Sequence, residues 1–295
     1  MNGAVGVSRK LGVSKLIIGL TIIAFGTSVP ELVISVRAVI DGISGLAIGN
    51  VVGSNIANIL LVLGLPCTII GLPLIEKESR KPYLVMLIST IIFISICLFW
   101  QLNRISGIIL ILIFNVVILD NIINSKKTAS KNYLSINNIK DGDRTSLSKY
   151  IFFILLGFIG LPFGANVFVD NIVLLADRIG VSKAVIGLTI VAIGTSLPEL
   201  STMVMAIIRR EKEMALGNVI GSNLFNILAI MGISSIFGTI NIPPAFFKFD
   251  IWVMLFTSLL LIPMLFKSVE LNRTWGVLFI LIYIVYIVLV INRGS

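Results

Sequence analysis

The chain has 295 residues, 57% of them hydrophobic and only 13% charged, with a mean hydropathy of +1.07. A soluble domain carries about 25% charged residues, so an ordinary globular enzyme is excluded. The absence of His and the two isolated cysteines, Cys67 and Cys97, exclude zinc, haem, CxxC and Cys–His chemistry. The net charge of +9 lies in short gaps between apolar runs with no basic, aromatic-interleaved stripe, which excludes nucleic acid as a partner.

A transmembrane helix needs roughly 20 apolar residues. In chain order the sequence predicts spans near 15–40, 45–73, 83–100, 105–123, 149–176, 183–208, 214–240, 250–266 and 274–291. Between the fourth and fifth lies a Ser-, Asn- and Lys-rich segment, 124–148, the one long polar stretch. Alternating the loops puts 17 of the 23 basic residues on the side of this linker. Cytoplasmic loops are enriched in Lys and Arg, so the linker is expected inside and the C-terminus outside. Arg37, Arg104, Arg178, Lys183, Lys248 and Arg293 fall on the outer side. Trp100, Trp252 and Trp275, near span ends, read as interfacial anchors, and Asn115 and Asn166 as polar packing residues.

Residues 11–64 align with 179–232 at a constant offset of 168, without a gap and with 30 of 54 positions identical. An odd number of spans separates the copies, so they enter the membrane in opposite directions, as secondary transporters built from inverted repeats do. The expected fold is an all-α membrane protein with a first repeat over 1–123, a linker over 124–148 and a second repeat over 149–295. A whole apolar span precedes the second copy, but only MNGAVGVSRK precedes the first. The parent architecture is therefore expected to hold five plus five helices, nine of them here, with a first helix of roughly 30 residues missing.

Only Glu31 and Glu199 lie deep within the predicted spans, at equivalent repeat positions, and no Lys, Arg or His matches their depth. A charge at a helix centre costs about 2.5–3.5 kcal/mol on insertion scales. Two such carboxylates without a protein cation call for bound cations or protons. Pro30 and Pro198 lack an amide hydrogen, and each clashes with a carbonyl one turn earlier, at Gly26 and Gly194. Carbonyls freed near Ala24, Gly26 and Thr27, and near Ala192, Gly194 and Thr195, are expected to become ligands. Thr27, Ser28, Thr195 and Ser196 add hydroxyls. In the next span Ser54 and Asn58, like Ser222 and Asn226, stand four apart on one helical face. Asn50, Asn55, Asn218 and Asn223 lie nearby, while Gly49, Gly53, Gly217 and Gly221 permit close helix approach. This all-oxygen inventory selects hard cations such as Ca²⁺ and Na⁺.

GTSVPEL with GNVVGSNIAN, repeated as GTSLPEL with GNVIGSNLFN, resembles the two α-repeats of the calcium/cation antiporter superfamily, in its prokaryotic sodium/calcium exchanger branch. The resemblance implies a ten-helix fold in which four helices surround the ions and two others form a sliding gate. It implies Glu31 and Glu199 as shared ligands of Ca²⁺ and Na⁺, with the Thr27 and Thr195 carbonyls completing the calcium site. Ala24 with Ser54, and Ala192 with Ser222, would serve flanking sodium sites, and Asn58 and Asn226 would lie at the centre. Some members carry Asp where this chain has Asn226, which leaves the centre one potential charge poorer.

The expected function is Na⁺/Ca²⁺ antiport across a prokaryotic cytoplasmic membrane by alternating access, with no cofactor. An H⁺/Ca²⁺ exchanger is the nearest rival, because protons also neutralise the two carboxylates. Because the resemblance makes the missing helix half of the gate, cation binding without transport is a second alternative. A channel would need a filter-like loop, and an intramembrane protease using Ser28 or Ser196 would need a His or buried Lys as base.

Overall fold

The computed structural model describes residues 15–71, 77–132, 180–209, 211–267 and 269–294, with isolated positions at 167, 171, 174, 175 and 178. Most of the predicted span 149–176, with Asn166, and most of the predicted linker fall outside the described residues. Among those described, the chain is helical: α1 (Leu16–Thr27), α2 (Val29–Ile40), α3 (Ser44–Ile69), α4 (Arg80–Phe99), α5 (Arg104–Asn132), α6 (Lys183–Ile208), α7 (Lys212–Phe237), α8 (Phe246–Phe266) and α9 (Arg273–Gly294). Seven of these are long and apolar enough to cross a membrane, and the α1–α2 pair, bent by 47°, makes an eighth. The protein is a multi-pass, all-helical membrane protein.

Two boundaries differ from the sequence reading. Helix α5 continues to Asn132, into the segment predicted as linker, although its apolar stretch ends at Asn121. The polar NSKKTASKN run carries no Pro or Gly to stop helical hydrogen bonding. Helix α8 begins at Phe246, before the predicted 250, with a π-helical turn over Phe246–Asp250.

Burial sorts the spans. The apolar windows of α3 and α7 are 94% and 89% buried, whereas those of α5 and α9 are 22% and 28%. Helices apolar all round belong at the centre of a bundle or in lipid. Here α3 and α7 fill the centre, while α5 and α9 turn Ile105, Ile108, Leu112, Val116, Leu281, Ile284 and Val288 outward.

The packing follows the sequence repeat with a crossed pattern. A Cβ on Gly19 would meet the Met214 carbonyl at 2.5 Å, and one on Gly187, 168 residues later, would meet the Leu46 carbonyl at 2.8 Å. Likewise Gly217 approaches the Leu16 carbonyl, and its mate Gly49 approaches the Ala184 carbonyl. Each central helix therefore packs on the broken helix of the other copy, and the reciprocity of the contacts marks a pseudo-two-fold axis. The relation extends to the outer spans, since Gly64 packs on Gly276 and Phe279, and Gly232 on Gly107 and Ile111. Small residues let these backbones approach in a medium where hydrophobic burial drives nothing.

Candidate ion-binding site

The broken helices position the acids. Val29–Pro30 and Leu197–Pro198 open α2 and the second half of α6 as first-turn residues, where a proline's missing amide is least costly. The break falls at Ser28 (φ −86°, ψ 6°) and at Ser196 (φ −82°, ψ 2°). Glu31 and Glu199 then stand in the first turn of each new helix, where the positive end of the helix dipole favours a carboxylate. Upstream of each break lies a π-helical turn, Gly19–Ile23 and Gly187–Val191, in register with the repeat. Two more follow in the central helices at Asn58–Leu63 and Phe225–Ile230. Such turns interrupt the regular ladder and gather at functional sites.

Both carboxylates are 0% exposed, and among the described residues neither has a Lys or Arg partner. Around them is a ring of neutral oxygen and amide groups. The Thr27 hydroxyl donates to Asn218 Oδ1 (3.4 Å), and its mate Thr195 donates to Asn50 Oδ1 (3.2 Å). Thr195 also sits 3.3 Å from the Ser54 hydroxyl. Asn50 Nδ2 donates to the Glu31 carbonyl (3.2 Å) and to Ser35 Oγ (2.9 Å). Asn58 Nδ2 donates to Asn223 Oδ1 (3.0 Å), whose own amide reaches the Asn55 carbonyl (3.3 Å). Every one of these side chains is buried.

The network is incomplete, and the gaps converge on the acids. Glu199 Oε1 accepts from Ser28 Oγ (3.2 Å) and Ser222 Oγ (3.4 Å). Its Oε2, both oxygens of Glu31, Ser196 Oγ, Asn58 Oδ1 and both polar atoms of Asn226 have no partner among the described residues. Buried polar groups are paired in more than nine cases in ten. A cluster of unpaired oxygens around two uncompensated carboxylates has the chemistry of a cation shell. No group of three or more His, Cys, Asp or Glu occurs among the described residues. A cation held here would depend on neutral oxygens beside the two acids, a donor set suited to hard ions.

This arrangement, two inverted copies that each offer one acid to a shared buried shell, belongs with cation exchange. The chain matches the family of sodium/calcium exchanger proteins over residues 1–122 and 149–292. It belongs to that family. It is 31% identical to the sodium/calcium exchanger MaX1 of Methanosarcina acetivorans, covering 96% of this chain and 90% of the relative. It is 33% identical to the putative antiporter CaxA of Alkalimonas amylolytica, over 96% of this chain and 90% of that one. The solved structure of the sodium-calcium exchanger NCX_Mj, soaked with Na⁺ and Sr²⁺, superimposes with a TM-score of 0.74 at 32% identity, covering 97% of this chain and 90% of that one. The protein is thus a secondary transporter of the cation antiporter class, not an enzyme.

Of the predicted site residues, Glu31, Glu199, Thr27, Thr195, Ser28, Ser196, Ser54, Ser222, Asn58, Asn226, Ala24 and Ala192 are all buried in this central region. Two details differ from the sequence reading. The Ala24 and Ala192 carbonyls are not freed by the helix break. They accept the Ser28 and Ser196 amides at 3.0 and 3.1 Å, because the last turn before each break closes normally. The packing of the alanines also crosses between copies: Gly221, beside Ser222, meets Ala24, and Gly53, beside Ser54, meets Ala192. Asn115 is exposed and closes on the Ile111 carbonyl of its own helix (2.8 Å), so it is not a packing residue.

Sequence reasoning missed Ser35, which holds Asn50 and whose signal is its position four residues after Glu31. It also missed a third buried acid. Asp250, with its side chain 2% exposed, pairs with Arg293 (2.9 Å) and accepts from the Tyr286 hydroxyl (3.3 Å). Arg293 further lies 4.2 Å from the centre of the Phe249 ring. The one signal for it is that Lys248, two residues before Asp250, and Arg293 fall on the same side in the loop alternation.

Proposed function

We propose that the protein exchanges Na⁺ for Ca²⁺ across a prokaryotic cytoplasmic membrane, with Glu31 and Glu199 as the shared ligands of both ions. The observation that carries this reading is the pair of fully buried carboxylates with three unpaired oxygens and no protein cation among the described residues. Hydroxyls of Thr27, Ser28, Ser54, Thr195, Ser196 and Ser222, the amides of Asn58 and Asn226, and carbonyls of the Thr27 and Thr195 segments supply the neutral part of the shell. Ala24 and Ala192 flank it. No cofactor is needed, since the ions themselves are the cargo.

The coupling follows from charge. Two ionised carboxylates cannot cheaply cross the low-dielectric barrier without cations. Only the loaded core then changes its access side, so Ca²⁺ must leave before Na⁺ is carried back, or the reverse. Inverted repeats, read here as residues 1–123 and 149–295 around the 124–148 linker, give two related packings of one bundle against the other for this step. The distribution of Lys and Arg supports a cytoplasmic linker and an external C-terminus. Similarity to MaX1 and to NCX_Mj, both described as sodium/calcium exchangers, supports sodium as the driving ion.

The test is ⁴⁵Ca²⁺ uptake into proteoliposomes loaded with Na⁺. Uptake is expected to collapse on removing the Na⁺ gradient and in Glu31→Gln and Glu199→Gln. Uptake driven equally by a pH gradient in sodium-free buffer would replace sodium with protons as the coupled ion. Uptake unchanged in both Gln variants would remove the site assignment.

A further inference from the structure

The pseudo-two-fold axis makes the two flanks of the ion core comparable residue by residue, and they are not alike. On one flank Phe225 packs on Ala24, with the Phe114 ring 4.7 Å and the Phe25 ring 5.6 Å from its own. This triple-phenylalanine cluster sets apolar rings against Ala24 on that flank.

On the other flank the repeat offset converts Phe225 into Ala57, Phe25 into Ile193 and Ala24 into Ala192. The outer helices correspond at an offset of 169, fixed by the reciprocal pairs Gly107–Gly232 and Gly276–Gly64, so Phe114 corresponds to Tyr283. Helix α9 packs against the Asn58–Leu63 turn and against Gly187–Val191, the segment that leads into Ala192. Running antiparallel to α3, it brings Tyr283 toward the level of Ala57, each about two turns from the Gly276–Gly64 contact, as Phe114 and Phe225 stand from the Gly107–Gly232 contact. The methyl of Ala57 stands where the other flank has a phenyl ring, which leaves room for the longer tyrosine side chain.

Tyr283 is 5% exposed, and its hydroxyl has no partner among the described residues. A buried phenol without a partner costs about 1–3 kcal/mol, and in a buried membrane helix the hydroxyl needs something to bind. The Ser54 and Thr195 hydroxyls, 3.3 Å apart, lie on the same side of the core, next to Gly53 and its contact with Ala192.

We propose that the Tyr283 hydroxyl is a further oxygen contact for the monovalent cargo at the Ala192 flank, direct or through one bound water, which makes the two flanks unequal sodium positions. The inference rests on the exchange reading above. A neutral phenol oxygen contributes little to a divalent ion already held by two carboxylates, but it is a sizeable part of a neutral-oxygen shell for Na⁺.

The test uses the full chain in proteoliposomes and the near-isosteric Tyr283→Phe. The Na⁺ concentration that half-saturates exchange is expected to rise about fivefold, the equivalent of one hydrogen bond. Half-saturation by Ca²⁺ in sodium-free Ca²⁺/Ca²⁺ exchange should stay within about twofold. In detergent, the Na⁺-induced rise in melting temperature should need correspondingly more Na⁺ in the variant. Unchanged sodium dependence, or an equal shift for both ions, would overturn the proposal. Should the parent chain show no Na⁺-driven uptake, the exchange reading falls, and the Na⁺-induced thermal shift of the two proteins still decides the Tyr283 contact.

Discussion

Gly53→Ala is the most direct probe of how the crossed packing supports the ion core. A Cβ at position 53 would lie 2.7 Å from the Ala192 Cβ, 2.8 Å from the Leu188 carbonyl oxygen and 2.9 Å from the Leu188 Cα, where ordinary contact begins at 3.4 Å. Two of these atoms are backbone and the third is a Cβ, so no rotamer relieves the clash. Helices α3 and α6 must separate by about 0.7 Å. Overpacking of this kind costs about 1–3 kcal/mol. The functional cost should be larger. A calcium shell works at about 2.3–2.6 Å, and Ser54, next to the substitution, faces Thr195 one turn before Glu199. Moving these donors apart by 0.7 Å should weaken Ca²⁺ binding at least tenfold, about 1.4 kcal/mol.

The control is Gly26→Ala, in a helical segment where an added Cβ meets nothing within 4 Å among the described residues. Helix propensity alone should make it neutral or stabilising, by up to about 1 kcal/mol. Melting temperature in detergent and the Ca²⁺ concentration for half-maximal ⁴⁵Ca²⁺ uptake read both effects. A Gly53→Ala protein with parental stability and parental Ca²⁺ dependence would refute the claim that backbone contact between the copies sets the site's dimensions.

Further outcomes follow from the polar contacts. Arg293→Met strands the buried Asp250 and should lower stability by about 1–2 kcal/mol, discounted because the Arg293 side chain is 39% exposed. Adding Asp250→Asn to it should restore part of the lost melting temperature while Ca²⁺ dependence stays put. Asn50→Ala removes the bridge from the Glu31 carbonyl and Ser35 to Thr195, so it should raise the Ca²⁺ needed for half-maximal uptake and cost about 1–3 kcal/mol. Asn55→Ala should cost less, since that amide closes only on the Val51 carbonyl of its own helix. Equal effects of the two would contradict the bridging role of Asn50.

Much of the site was legible because its logic is chemical and repeated. Glu31 and Glu199 announce themselves as unpaired acids in apolar spans, and the doubled GTS–PEL and GN–GSN motifs give their neighbours by register. What could not be read was pairing across the axis. Ser28 serves Glu199 and not the adjacent Glu31, and Thr27 reaches Asn218 in the other copy. Nothing in a linear repeat says which copy a side chain will face. The π-helical turns were equally hidden, since GLTII and GLTIV carry no signal that separates a widened turn from a regular one.

Composition, the apolar spans and the inverted repeat determined by themselves that this is a membrane protein with one deep acid in each copy of the repeat and an oxygen-rich lining, because hydropathy and charge cost depend only on which residues occur and how they are spaced. Tertiary structure alone decided that the halves interlock, that the alanine carbonyls beside the breaks stay within their helices, and that the flanks differ at Phe114 and Tyr283. Those outcomes depend on which backbones approach within a few ångströms. That is settled by the fit of glycine against carbonyl between distant segments, which no local pattern encodes.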